Sequence, residues 1–184
     1  MLIRIGARPD RGFDEPLGLM SDCHRRIERF LDTLVLTTAA AAGGPLTPQQ
    51  QADVEAALTY FATAAPKHTA DEEESLFPRL RASCDDAAAA ALEMMARLER
   101  DHRAAETHHQ SAEALVRSWI ANGALDATSL QALTDDLAKL QAIYRAHIAI
   151  EDLELFPAAA RALTPVDIAS IGAEMARRRR GPAR

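Results

Sequence analysis

Aromatic residues are scarce in this sequence, at 4% of the chain, although 48% of the residues are apolar. Aromatic and β-branched side chains are the ones that favour strands, and alanine takes their place here. Alanine-rich helices can approach each other closely. We therefore expect an all-α fold, and 184 residues are enough for one domain with a well-buried core.

Outside its last eight residues the chain has no excess of basic residues. The net charge is −6, and five arginines lie within residues 177–184, so the remainder carries about −11, from 27 acidic and 16 basic residues. A nucleic-acid-binding protein usually has a basic face. We therefore expect no nucleic-acid partner, and we interpret the arginine-rich end as a solvated tail.

Cysteines and long apolar runs are also lacking. Cys23 and Cys84 are the two cysteines, and they fit neither a disulfide framework nor a zinc-site spacing. No charged and then apolar leader opens the chain, and no apolar run approaches membrane length. These absences favour a reducing, cytoplasmic setting without a membrane partner, in which Cys23 is a structural thiol.

The apolar periodicity predicts four long helices. Pro16 suits the first turn of the first helix. Thr47 begins a capping box for the second helix, and Pro66 should bend that helix. Gly123 ends the third helix, and Thr128 begins a capping box for the fourth. Because the connections are short, we expect an up-down-up-down four-helix bundle.

The expected organisation is a single domain over residues 1–184. Its bundle core spans about 16–160. A short fifth helix follows at 164–178, and residues 1–13 and 179–184 are expected to be loose ends.

One motif occurs twice, and it contains residue types that can bind a metal ion. His68 and His147 each stand four residues before a glutamate and ten before a proline, and an acid and Leu-Phe-Pro occur at the same places in both copies. Each copy also has a lone histidine upstream: His24 lies 44 residues before His68, and His102 lies 45 before His147. The repetition makes ordinary buried polar residues a poor explanation of the set.

Helical geometry selects the ligands from the acidic stretches. Residues four apart share a helix face, so His68 points with Glu72 and His147 with Glu151. The next acids, Glu73 and Asp152, lie about 140° from their histidines and should lean toward solvent. Asp71, just before Glu72, is expected to be a surface acid as well. Four imidazoles and two carboxylates then converge in the bundle. Buried carboxylates need compensation, and iron, manganese or zinc suits such ligands. The predicted metal ligands are His24, His68, Glu72, His102, His147 and Glu151.

If both glutamates bridge two metals, and each metal takes two histidines, an oxygen bridge would bring each metal to five ligands. One open position per metal would remain for a small molecule.

This pattern resembles the hemerythrin-like HHE cation-binding family over roughly residues 16–160. The resemblance implies a four-helix bundle with two non-haem iron ions, oxo- or hydroxo-bridged, in which the four histidines are terminal ligands and Glu72 and Glu151 bridge. The oxygen carriers of that family have a fifth histidine where this chain has Glu106. The difference argues against reversible oxygen carriage and for resemblance to members linked to nitric-oxide and oxidative-stress defence or to repair of iron centres.

Several neighbouring residues have two interpretations. Glu28 and Glu106 each stand four residues after a histidine. Each is interpreted either as an extra ligand or as an exposed acid. His109 is interpreted as a hydrogen-bonded core residue and His108 as solvent-facing. Tyr144 either donates a hydrogen bond near the metals or simply packs.

The sequence is compatible with two functional classes. The first is a redox or repair protein that reacts with O2, NO or peroxide. The second is a non-catalytic carrier or sensor of oxygen, nitric oxide or iron. Since a sensor usually needs an output domain and 184 residues leave room for none, the first class is favoured.

Overall fold

The computed structural model describes residues 10–83 and 88–180, with the backbone alone for 88–90. The described residues form helices and connections, with no strand among them. The helices are α1 (Pro16–Ala41), α2 (Pro48–Thr63), α3 (Ala65–Ala70), α4 (Phe77–Ser83), α5 (Ala88–Asn122), α6 (Ala127–Ile150), α7 (Phe156–Ala162) and α8 (Pro165–Arg180). Two π-helical segments, Asp71–Leu76 and Glu151–Leu155, join α3 to α4 and α6 to α7. Cys84 and Arg184 lie outside the described residues.

Local sequence signals explain most helix ends. Pro16 opens α1, and Ala42 ends it in the left-handed conformation (φ 47°). The predicted capping box of α2 is present between Thr47 and Gln50. The predicted cap of α6 is wrong: Asp126, two residues before Thr128, accepts the Ser129 backbone N–H at 2.9 Å. The Asp126 carboxylate satisfies one of the first-turn N–H groups that have no partner within the helix.

The predicted bend near Pro66 occurs as a break between α2 and α3. Ala64 separates the two helices, and Pro66 follows within the first turn of α3. Proline has no N–H and crowds the carbonyl four residues earlier, so a helix is interrupted just before it. His68 therefore lies on α3, beyond the break, and not on α2.

The long helices pack around two apolar clusters. α1 packs on α2 and α6, and α5 packs on α6 and α2. One cluster includes Leu34, Val116 and Trp119, and the other includes Leu76, Phe77 and Phe156 from the repeated Leu-Phe-Pro motifs. His24 lies in α1 between Met20 of one cluster and Leu31 of the other. The predicted ligands therefore occupy a polar layer between two apolar layers.

Helix α8 packs against the first π-helical segment through ionic contacts. Asp71 is completely buried, at 0% exposure. Its carboxylate accepts hydrogen bonds from Arg178 at 2.9 Å and from Arg179 at 2.6 Å, and Arg178 also donates to Ser75 at 2.8 Å. The expectation that Asp71 is a surface acid is wrong, because α8 covers it. The helix extends to Arg180, so residues 179 and 180 are helical where a loose end was expected.

Among the described residues, no helix combines the length and apolar character that crossing a membrane requires.

Candidate metal centre

The structure brings all six predicted ligands together in the polar layer. They come from six different elements and are almost completely buried, His102 being the most exposed with an 11% exposed side chain. Their positions are His24 on α1, His68 on α3, Glu72 on the first π-helical segment, His102 on α5, His147 on α6 and Glu151 on the second π-helical segment.

The two glutamates stand where the helix widens from α to π geometry. The backbone N–H of Phe77 donates to the carbonyl of Glu72, and that of Phe156 to the carbonyl of Glu151, five residues back in each case. Pro78 and Pro157 come directly afterwards. A proline crowds the carbonyl four residues before it, and a wider turn relieves that crowding. The repeated Leu-Phe-Pro thus explains a widened turn at the same place in each repeat.

Each glutamate lies close to histidines of both repeats. Glu72 Oε1 is 3.0 Å from His68 Nε2, and Glu72 Oε2 is 3.2 Å from His102 Nε2. Glu151 Oε2 is 3.0 Å from His24 Nε2 and 3.2 Å from His147 Nε2. The repeats therefore form one site, in which each carboxylate faces one histidine from its own motif and one lone histidine.

The acids that follow the glutamates hold the lone histidines from outside. Asp152 Oδ1 is 3.0 Å from His24 Nδ1, and Glu73 Oε1 is 2.7 Å from His102 Nδ1. The expectation that both acids lean away into solvent is wrong. A turn closed by bonds between residues five apart brings the fifth residue after each histidine back toward the site. The recurrence of an acid at this place in both motifs was the signal in the sequence.

These outer hydrogen bonds determine which imidazole nitrogen is free to bind a cation. A neutral His24 that donates its Nδ1–H to Asp152 has an unprotonated Nε2, and the same holds for His102 beside Glu73. The Nε2 lone pair of His24 then faces the Glu151 carboxylate, and that of His102 faces His147 Nε2 at 3.1 Å. The His24 Nε2 lone pair and the Glu151 carboxylate repel each other, so this arrangement fits a cation between them.

The carboxylate oxygens of the two glutamates also lack a hydrogen-bonding partner among the described residues. Both oxygens of Glu72 and both oxygens of Glu151 are buried. The imidazole nitrogens that lie 3.0 to 3.2 Å from these carboxylates do not satisfy them as hydrogen-bond donors. A buried acceptor without a donor is costly, and a buried carboxylate more so. A cation bound to these oxygens would remove that cost.

The ionisation of the cation-free cluster shows how strongly its charges interact. Burial lowers the pKa of His24, but Asp152 and Glu151 outweigh burial and raise it to about 10. The pKa of His102 is likewise raised to about 9, against burial, by Glu72 and Glu73. Burial and the charge of Glu151 raise the pKa of Glu72 to about 7. Protons therefore supply the compensating positive charge, and a cation would replace them.

The ligand atoms form two groups that share both glutamates. In one group, ligand atoms of His24, His68, Glu72 and Glu151 all lie within 4.8 Å of one another. In the other, those of Glu72, His102, His147 and Glu151 do so. Each group offers two nitrogen and two carboxylate ligands, a donor set that suits iron, manganese or zinc. Each group could hold a cation, and both carboxylates belong to both groups.

The residues with two interpretations lie outside these groups. Glu28 is exposed, and Glu106 is exposed and accepts a hydrogen bond from Gln110 on its own helix. His109 is hydrogen-bonded to the Tyr144 hydroxyl at 2.8 Å, as its interpretation as a core residue predicts. His108, expected to face solvent, is half-buried against Asp136 at 2.8 Å.

Comparison with known proteins agrees with the residue pattern. The hemerythrin HHE cation binding domain matches residues 15–159. A Haemophilus influenzae protein that is described as uncharacterized is 35% identical over 68 residues, which is 37% of this chain and 40% of that protein. The aligned part is thus less than half of the relative's length, and its description names no activity.

Proposed function

The chain belongs to the hemerythrin HHE cation-binding family, and we propose that it holds two iron ions that bind or react with a small ligand such as O2, NO or peroxide. The observation that supports the proposal is the pair of ligand groups with both glutamates in common. We also propose that the long helices alternate up and down around this centre. Bound iron would supply open coordination positions and a change of oxidation state. The role we propose is defence against oxidative or nitrosative stress, or repair of iron centres, in the cytoplasm.

Reaction is favoured over simple carriage by what surrounds the ligand groups. Glu106, at the place of the fifth histidine of oxygen carriers, is exposed and bonded to Gln110. It offers no further nitrogen ligand, so the two cations would have equivalent sets of two histidines each. Both cations would then keep room for an outside ligand, which suits chemistry that engages both of them.

Metal stoichiometry in half-site variants tests the proposal. After anaerobic reconstitution with ferrous iron and removal of excess metal, the wild type should retain about two ions per chain, as a two-cation bundle site does. His68→Ala removes a ligand of one group only and His147→Ala one of the other, so each should retain about one tightly bound ion. Glu151→Ala removes a ligand that both groups share, so it should lose both ions.

The matched control is His108→Ala, which removes a histidine that pairs with Asp136 away from the ligand groups. It should bind as much iron as the wild type. A wild type that retains less than one ion, or a double His68→Ala and His147→Ala variant with unchanged iron content, would disprove the proposal. Zinc that is retained after expression with excess iron would indicate a structural centre instead. Reversible binding of O2, measured against its consumption, separates a carrier from a reacting centre.

A further inference from the structure

A cavity of about 290 Å³ adjoins the ligand groups. The imidazoles of all four predicted histidine ligands line one part of it. Two small side chains, Ala65 and Ala105, line it as well, where larger residues would fill the space. Arg103 and Glu106, both exposed, border it and place its outer end near solvent. At roughly 30 Å³ per water molecule, the space holds a diatomic or triatomic ligand together with several waters.

The wall of this cavity carries a polar pair that the metal groups do not use. Tyr144 and His109 both line the cavity and are joined by a 2.8 Å hydrogen bond between the phenol oxygen and His109 Nε2. Tyr144 lies one turn before His147 on α6, about 4.5 Å away along the helix axis. Phe61 packs against the His109 ring, with centroids 4.3 Å apart and the ring planes tilted by 33°.

Both members of the pair are uncharged at neutral pH. Burial, with a contribution from His108, lowers the pKa of His109 to about 4. Burial, with contributions from Tyr60 and Glu72, raises the pKa of Tyr144 above its ordinary value. A neutral imidazole has one N–H, and a phenol has one O–H and an oxygen that accepts. The pair therefore has two arrangements: the phenol donates to His109, or His109 Nε2–H donates to the phenol.

In the second arrangement the phenol O–H is free to point into the cavity. We propose that Tyr144 donates this hydrogen bond to a small hydrogen-bond-accepting ligand at the metal centre, and that His109 positions the phenol by donating to its oxygen. The inference rests on the metal centre proposed above. Phe61 and Ile148, which also line the cavity, are apolar, so Tyr144 supplies the hydrogen-bond donor on this part of the wall.

Binding of azide to the iron-loaded protein tests the inference. Azide is a small anion that accepts hydrogen bonds, and its affinity can be measured by optical titration without turnover. Tyr144→Phe removes only the hydroxyl, so it should keep its iron content and weaken azide binding roughly tenfold, the effect of one hydrogen bond to a charged ligand. His109→Leu should weaken azide binding by a smaller factor, because the phenol O–H remains but is no longer positioned.

The control is Tyr60→Phe, since Tyr60 does not line the cavity, and its hydroxyl lies near the Cys23 carbonyl, at 3.4 Å, and near Arg26. It should bind azide like the wild type. The infrared stretch of bound azide should shift between H2O and D2O in the wild type and not in Tyr144→Phe, which a purely structural tyrosine would not produce.

Equal azide affinity and equal isotope sensitivity in the wild type and Tyr144→Phe, with two irons bound in both, would overturn the role of Tyr144 alone. A wild type that retains no iron would overturn both this role and the proposed metal centre.

Discussion

The ionic contact between α8 and the first π-helical segment allows a sharp test of how the segment is held. In the double variant Arg178→Met and Arg179→Met, two long side chains remain, but both guanidinium groups that bind Asp71 are removed. Asp71 is 0% exposed. The carboxylate would then be buried without a cation. Breaking a buried ion pair from one side costs about 3–5 kcal/mol. The two arginine side chains are 19% and 26% exposed, so water can approach, and we expect the lower end of that range.

Reversible urea unfolding, followed by helical circular dichroism at one fixed metal concentration, measures the free energy of unfolding. The double substitution should lower this free energy by about 3 kcal/mol. Adding Asp71→Asn to it removes the buried charge, so the triple variant should be more stable than the double variant. This gain from a further substitution is the distinctive result, because it arises only if the charge itself is the problem.

Arg177→Met with Arg180→Met is the matched control. It removes two charges from the same helix, but Arg177 is 67% exposed near Glu174, and Arg180 donates to the backbone carbonyl of Ala176 on its own helix. We expect a loss of about 0.5 kcal/mol or less, as at other surface positions. If the Arg178 and Arg179 double variant is no less stable than this control, or if Asp71→Asn fails to restore stability, the reasoning is refuted.

Two further predictions concern the metal centre. Asp152→Asn and Glu73→Gln keep the shapes of the acids that hold His24 and His102, so both variants should fold, but iron affinity should fall roughly 10- to 100-fold, measured by competition with a chelator. Unchanged affinity in both would show that the outer hydrogen bonds do not orient the ligands. Iron affinity should also rise with pH between about 6 and 9, because protons on His24 and His102, whose pKa values are raised, compete with the cation. A pH-independent affinity would contradict this competition.

The ligand residues could be found from the sequence because their spacing is local. His68 and Glu72 are four apart, and helices of either α or π type keep them on one side. The lone histidines could be assigned because each stands in the apolar stripe of its helix, which has to face the core. The repeated motif then showed that the two halves of the chain contribute equivalent ligands. Prediction of the six residues that come together thus needed periodicity and one internal comparison.

The parts that the sequence did not predict depend on a local change of helix geometry or on distant contacts. Ordinary α-helical rotation turns Glu73 and Asp152 away, and the π-helical widening that brings them back follows from Pro78 and Pro157, further along the chain. Asp71 looked like another surface acid because its partners lie about a hundred residues away, on α8. A charge in an acidic run cannot be assigned to a buried pair without knowing which helix covers it.

The exchange of partners between the two repeats links metal binding to folding. Asp152, from the second repeat, orients His24, and Glu73, from the first repeat, orients His102. Each ring is therefore fixed by a side chain on a different element, and the free nitrogens converge only when the elements are packed together. An unfolded chain has no such set of ligands, so the free energy of metal binding adds to the free energy of unfolding. Since the outer acids cross between repeats, we expect neither repeat alone to provide a complete half-site.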